Sequence, residues 1–386
     1  MTTAGIVVIG GGVIGASVAC HLAAAGERDV VVVDRAGGPA AGSTGRATGG
    51  FRAQYATAIN VRLSLLSREK LVRFGDDVGA DPGYEPAGYL WLAKNEAELD
   101  VLRSGQAVQH AEGLDEACMV AADDVAELNP AIATDGVAGG AFCPTDGFIR
   151  PLQIMDGYHT AAARMGVRYM WDTAVTAVTR AADGRITSVE TSRGSIATGG
   201  VVNAAGAWAA VVARMAGVEL PVTPLRRQVA CTVPSDVLPR TMPMTIFAGD
   251  GYHLRVRDDR VLLLWPNAGA ADPFSTEVDD AWLSTIRKMT DARVPALRDV
   301  AIDRSACWAG LYEVSPDKHA ILGAAATCEN LFLVNGASGH GVMHAPALGQ
   351  LLAEIVCHGR AMSMDVSALS PGRFAEGRLN PVSELL

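Results

Sequence analysis

A chain of 386 residues, 49% hydrophobic and 19% charged, is long enough to bury a large core in about two domains, and nothing in it reads as disordered. Its net charge of −10 speaks against a nucleic-acid partner, whose phosphates it would repel. The seven cysteines are odd in number, scattered and without a C-x-x-C pair, so reduced thiols are expected, with no metal site. No charged leader or membrane-length apolar run is evident, and the reading is a cytoplasmic protein without a membrane span.

The chain opens on IVVIGGGVIGASVACHLAAAGERDVVVVDR, Ile6 to Arg35. A strand over Ile6 to Ile9 runs into Gly10, Gly12 and Gly15, a small-residue helix continues to Ala25, and a second strand over Val30 to Val33 ends at Asp34. This is the pattern of a dinucleotide-binding βαβ unit. The first glycine permits the tight turn, the second lets backbone approach a pyrophosphate, and the third lets helix and strand pack closely. Val13 and Ile14 begin the helix, whose free N–H groups and positive dipole suit phosphates. Asp34, 19 residues past Gly15, suits a ribose hydroxyl, with Arg35 beside it. Which dinucleotide is bound stays open at this point.

Gly37 to Tyr55, GGPAAGSTGRATGGFRAQY, follows as a loop able to pass close to a ligand. Gly42 permits unusual backbone angles, while Ser43, Thr44 and Thr48 offer hydroxyls. Arg52 stands just before a helix expected over Ala56 to Phe74. From Gly83 to Phe148 the segments are short and mixed, with a strand over Tyr89 to Leu92 and an acidic helix over Asn95 to Ala111. Pro151 opens an amphipathic helix, Leu152 to Met165. Strands over 167–170, 175–180 (beginning at Val175), 186–190 and 200–204 come next, the last running into Ala205, Gly206, Ala207 and Trp208.

Pro221 to Asp303 reads as strands over 228–233, 245–247, 252–256 and 261–265, interrupted by a helix over Asp279 to Met289. Trp308 to Gly323 reads as a strand pair bent at Pro316-Asp317. A strand over Leu331 to Val334, the turn GASGHG and a helix over His344 to His358 close the chain. Strand, glycine turn and helix repeat the N-terminal device, so a second helix start can face a cofactor ring that becomes negative on reduction.

The βαβ unit, GSTGRATGGFR and GASGHGVMHAP in this order resemble the D-amino-acid oxidase superfamily of FAD-dependent oxidoreductases, in particular its sarcosine oxidase and sarcosine oxidase β-subunit branch. The resemblance implies an α/β fold. It has a Rossmann-like FAD domain in three pieces (1–82, 149–220, 324–386) and an α+β substrate domain in two (83–148, 221–323), built on a mostly antiparallel sheet. It also implies that the backbone of Val175 meets the adenine, and that Ala205 and Gly206 pass beneath the cofactor. Gly339, His340, Gly341, Val342 and Met343 would meet the flavin, with His340 acting through its backbone.

Flavin oxidation of an amine needs the substrate held still, and an arginine fork is a good handle for a carboxylate. Arg52 falls on the family position that does this. Tyr252 and His253 lie on the strand that would line the pocket. Alternation sets Tyr252 with Leu254 on one face and His253 with Arg255 on the other, and only one face can meet the flavin. His340 and His344 are expected neutral beside a helix start, His344 in a structural role.

Two departures from the sarcosine oxidase pattern stand out. Monomeric members attach flavin to a cysteine seven residues before the Asp of the bend. That position is Gly310 here and Cys307 is offset by three, so noncovalent FAD is expected. The family lysines over the flavin and after the SGHG turn are missing; the four lysines, Lys70, Lys94, Lys288 and Lys318, are read as lying away from these motifs.

The implied activity is oxidation of a small carboxylate-bearing amine (sarcosine, glycine, proline, D-amino acid or opine type) to an imine. Open beside it stand a 2-hydroxy-acid oxidoreductase, a catalytic β-like subunit of a larger dehydrogenase, and a homo-oligomer. A nicotinamide-dependent dehydrogenase and a non-catalytic nucleotide-binding protein stand as readings of a different class.

Overall fold

The computed structural model describes residues 2–266 and 270–382; Met1, 267–269 and 383–386, including the outer ends of the expected first and last domain pieces, lie outside it. The N-terminal strand Thr2–Ile9 sits mid-sheet, parallel to Val30–Val33 on one side and Gly194–Asn203 on the other, in the register Ile6 to Val30 and Ile6 to Gly200. Arg168–Met170 and Cys328–Asn335 extend this parallel order outward, and Ile321–Ala325 closes one edge antiparallel. All four valines of Val30–Val33 are buried, as a parallel strand covered on both faces requires. An antiparallel ribbon, Val175–Arg180 with Ile186–Thr191, pairs onto Gly194–Asn203.

Four helices cover one face: Val13–Ala24, Ala58–Val72, Pro151–Arg164 and Gly341–His358. The first and last approach closely because their contact is built from small residues. A Cβ on Gly349 would stand 2.1 Å from Ser17 Oγ, and that hydroxyl donates to Ala345 O at 2.8 Å.

A second eight-stranded sheet runs in the order Trp308–Val314, Thr223–Cys231, Arg260–Leu264, His253–Arg257, Met244–Phe247, Tyr89–Ala93, Gly139–Cys143, Cys118–Ala121. Each pairing is antiparallel except Met244–Phe247 with Tyr89–Ala93. The helix Asp280–Arg293 packs on it through Trp282, Leu283 and Ile286. Asp279 caps that helix by accepting from the N–H groups of Ala281 and Trp282. The chain is thus α/β, one mixed mainly parallel sheet and one mainly antiparallel sheet.

Three expectations change. Trp308–Val314 and Ile321–Ala325 do not pair; they belong to different sheets, and the Pro316-Asp317 bend carries the chain from one to the other. The buried carboxylate of Asp317 anchors that crossing, accepting from Arg373 at 2.8 Å on each oxygen and from Asn380. The closing helix starts at Gly341, three residues before His344, which puts Pro346 inside it. The strand Gly139–Cys143 escapes a sequence reading because it opens on two glycines; a Cβ at Gly140 would lie 2.1 Å from Trp91 O, so the neighbouring strand selects glycine there.

Candidate active site

A cleft of ≈ 710 Å³ takes its walls from both sheets. On the parallel-sheet side the wall is mostly backbone. Gly10 has φ +108°, and a Cβ there would stand 2.3 Å from Ala204 O. Gly12 caps the first helix, and the N–H of Val13 is already taken by Thr44 Oγ1 at 3.1 Å, so the loop hydroxyl ties itself to the helix start. Ser43 Oγ donates to Leu311 O at 2.7 Å, fastening the same loop to the antiparallel sheet. Asp34 is held by the N–H groups of Gly11 (2.7 Å) and Ala36 (2.9 Å), one on each carboxylate oxygen. Arg35 lays its guanidinium 3.8 Å over the ring of Trp208.

The turn before the closing helix crosses the middle of the wall. Gly339, at φ +96°, leaves no room for a side chain because a Cβ would lie 2.4 Å from the Tyr312 ring. Beside it lies Glu313, a wall residue 9% exposed. Burial pushes its carboxyl up to about 7, although the N–H groups of Gly336 and Ala337 pull the other way. Among the described residues its Oε2 has no hydrogen-bond partner.

On the antiparallel-sheet side the wall is made of side chains. Arg52 is 5% exposed and lies between two rings, 4.6 Å from the Tyr55 centroid and 5.0 Å from that of Trp91. Asp146 fixes the backbone that carries it, accepting from the N–H groups of Ala53 (2.7 Å) and Gln54 (3.3 Å). Burial raises the Asp146 carboxyl to about 6 despite those bonds. Arg52 Nη2 lies 3.3 Å from His340 Nε2. Burial, then the charge of Arg52, holds His340 far below the usual imidazole range, so the neutral ring accepts and the guanidinium donates. Burial likewise takes His344 to about 3, where it bonds Ser64 Oγ at 2.9 Å.

The profile of the family described as FAD dependent oxidoreductase, the DAO family, matches residues 5–355. The chain belongs to that family. It is 29% identical over 390 residues to the mitochondrial dimethylglycine dehydrogenase of Rattus norvegicus, covering 96% of this chain and 45% of that protein. With the mitochondrial sarcosine dehydrogenase of Mus musculus the identity is 28% over 375 residues, 93% of this chain and 40% of that one. The chain therefore spans less than half the length of these relatives. Among solved structures, L-proline dehydrogenase from P. horikoshii is similar with a TM-score of 0.90 at 28% identity, over 98% of this chain and 100% of that one. Glycine oxidase from Geobacillus kaustophilus shares the fold, with a TM-score of 0.85 at 23% identity over 97% and 99%.

The cleft of this DAO-family chain fits FAD on its own evidence. It has a side-chain-free cradle at Gly10 and Gly12, a fixed carboxylate at Asp34, and an orphaned buried oxygen on Glu313 that a ligand N–H or O–H can satisfy. Of the residues singled out from the sequence for the cofactor, Val13, Ile14, Arg35, Gly42, Thr48, Val175, Ala205, Gly206, Gly310, Gly341, Val342 and Met343 all reach the wall, with those described above. Gly15 does not. It sits behind the wall, where a Cβ would meet Gly10 O at 1.9 Å, so its part is the packing of helix on strand.

Tyr252 does not reach the cleft either. The strand begins at His253, and the alternation left open by the sequence resolves in favour of His253. Tyr252 points to the opposite face, fully buried among Leu254, Phe247 and Ile286, with its hydroxyl 2.9 Å from Thr290 Oγ1. Burial takes His253 to about 4, and its Nδ1 donates to Gly251 O at 2.8 Å. Arg255, on the His253 face by alternation, is buried and braces the loop by donating to Thr48 O and Gly49 O.

Lys318, expected away from the motifs, reaches the rim of the cleft, and His340 feels its charge. The left-handed backbone at Lys318, φ +59°, sits in the crossing between the sheets, which a sequence reading that pairs the two strands does not foresee. Glu313, Arg227 and Tyr312 are among the wall residues that the sequence alone does not single out. The E of GLYEV was a visible signal, a charged residue inside an otherwise apolar strand.

Proposed function

We propose that this chain oxidises the C–N bond of a small amine carrying a carboxylate, leaving an imine. The observation that carries the reading is Arg52, a buried guanidinium held between two rings, with its backbone fixed by Asp146, in the same cleft as the dinucleotide cradle. FAD, when bound, supplies the two-electron acceptor. Arg52 holds the substrate carboxylate by a charge-assisted fork, and His340 keeps that fork aimed. His253 and His340, both neutral, neither repel a substrate ammonium nor compete for the carboxylate. The chain thus selects and orients the amine, which is where most of the acceleration of such a reaction arises. The names of the relatives, dehydrogenases of dimethylglycine, sarcosine and L-proline, agree with a CH–NH donor.

Noncovalent FAD is supported by the cysteines. None is among the described wall residues, and Cys307 Sγ turns away to Asp303 O (3.2 Å) while accepting from the Cys231 N–H. A second reading, electron delivery to a partner subunit instead of oxygen, is favoured by the lysine pattern. Lys318, at the exposed rim, is the lysine among the wall residues described, and none follows the turn before the closing helix.

The test is the visible spectrum of the purified protein before and after denaturation, then anaerobic addition of amino and hydroxy acids. Flavin released to the supernatant and bleached by an amine acid supports the proposal. A protein that takes up no FAD, or one bleached by 2-hydroxy acids alone, overturns it. Slow recovery in air with fast recovery on an artificial acceptor selects the partner-subunit reading.

A further inference from the structure

We propose, building on the FAD reading, that Glu313 meets the bound cofactor as a carboxylic acid, donating from its orphaned oxygen to an oxygen of FAD, so that the chain takes up a proton when FAD binds. Glu313 lies on the strand Trp308–Val314 and lines the cleft; it is 9% exposed, and its Oε2 has no hydrogen-bond partner among the described residues. The backbone here is stitched to the turn before the closing helix. Glu313 O accepts from the Ser338 N–H at 2.9 Å, and Val314 bridges to Ala337. That turn stands against the first helix, since a Cβ on Gly341 would lie 3.4 Å from Ile14 and 3.6 Å from Ala337. The carboxyl is therefore fixed beside the wall that cradles the dinucleotide.

An ionised carboxylate suits this place poorly once FAD is bound. With FAD comes an anionic pyrophosphate, and a further anion in the same poorly hydrated cleft costs both desolvation and repulsion. The acid form instead puts an O–H where the unpaired oxygen stands, and FAD is rich in oxygen acceptors. Before any cofactor charge is counted, burial already raises the carboxyl to about 7, against the pull of the Gly336 and Ala337 N–H groups.

The charged and titratable groups around Glu313 leave that balance in place. The paired strand sets Pro224 opposite it and carries Arg226 and Arg227 farther along. Its own strand carries Tyr312, and Arg46 packs on Gly310 of the same strand. The turn carries His340, which is held neutral. In the crossing between the sheets Lys318 is exposed at the rim, Asp317 is tied to Arg373, and His319 bonds Thr57. Burial and the two N–H groups are what act on the Glu313 carboxyl.

The experiment titrates the full chain, freed of flavin, with FAD in buffers of different protonation enthalpy. Wild type is expected to take up about half a proton near neutral pH, where a carboxyl at about 7 is half ionised, and about one proton at higher pH. Over that range its FAD affinity is expected to fall by up to about tenfold per pH unit. Glu313→Gln carries a permanent N–H donor in place of the acid. It is expected to take up no proton and to bind FAD with an affinity that pH leaves flat, tighter than wild type at the alkaline end. Glu313→Ala lacks the donor and is expected to bind more weakly than E313Q throughout. Proton release, no proton exchange in wild type, or uptake that survives in E313Q overturns the proposal, as does affinity that rises with pH. Should the variants fail to fold, the infrared difference spectrum of wild type on FAD binding carries the test. A new protonated-carboxyl C=O band at alkaline pH supports the inference, and its absence overturns it. A chain that binds no FAD sinks the cofactor reading, whereas FAD bound without proton uptake sinks this inference alone.

Discussion

Along the parallel-sheet side of the cleft the wall is mostly backbone, shaped by glycines whose missing side chains leave space, and charge enters through N–H groups, the fixed carboxylate of Asp34 and the Arg35 guanidinium. Along the antiparallel-sheet side it is made of charged or polar side chains far apart in the chain, Arg227, His253 and Tyr312 on strands and Arg52 just after the short strand Gly50–Phe51. The first kind of wall recognises what many cofactors share, phosphate and ribose, and tolerates little change of shape. On the proposed function the second meets the substrate and is tuned by exchanging side chains. Substitutions on the two sides should therefore fail differently.

The largest effect is expected at Arg52. Arg52→Met should lower kcat/KM for a carboxylate-bearing amine by about 100- to 1000-fold, since it strips a buried carboxylate of its charged partner, while FAD stays bound. Steady-state kinetics on protein of unchanged flavin content check this, and loss of FAD in the variant would erase the distinction between the walls.

Gly15→Ala should do the reverse. Its Cβ would be driven to 1.9 Å from Gly10 O, and relieving that overlap should weaken FAD retention about 10- to 100-fold, read from the flavin-to-protein absorbance ratio on dilution.

Glu313 sits where the walls meet and gives a subtler signal. Its carboxyl, at 4.5 when unperturbed, is raised by burial to about 7 in the fold. Between those values the folded state holds the extra proton, so this group makes stability fall as pH rises through that window. Glu313→Gln should flatten the slope in thermal melts run across the same range. A slope that persists unchanged assigns it to other groups. The smallest effect is expected at Tyr252. Tyr252→Phe removes the bond to Thr290 at a cost of about 1 kcal/mol, lowers Tm slightly and leaves kcat untouched; a catalytic loss would return Tyr252 to the site.

The same contrast explains what could be read without coordinates. Gly10, Gly12 and Asp34 are tied together within one local strand–helix–strand unit, so spacing alone locates them. Tyr252 and His253 are adjacent, and a strand's alternation separates them to opposite faces without saying which faces the cleft. That choice is made by the packing of Leu254 and Tyr252 on the helix Asp280–Arg293, a contact across some 30 residues. The pairing expected across Pro316-Asp317 failed for a similar reason: Asp317 spends its hydrogen bonds on Arg373 and Asn380 near the other end of the chain.

By itself the sequence determined the dinucleotide cradle, the second glycine turn and the glycine at position 310, because each is written in neighbouring residues whose local geometry is restricted; Arg52 is an expected handle through the family resemblance alone. Only the tertiary structure decided that Glu313 and Arg227 join the cleft, that Tyr252 leaves it, and that one strand pair is split between two sheets. Those outcomes depend on which faces are buried against which, a balance of packing between distant segments that short-range sterics do not fix.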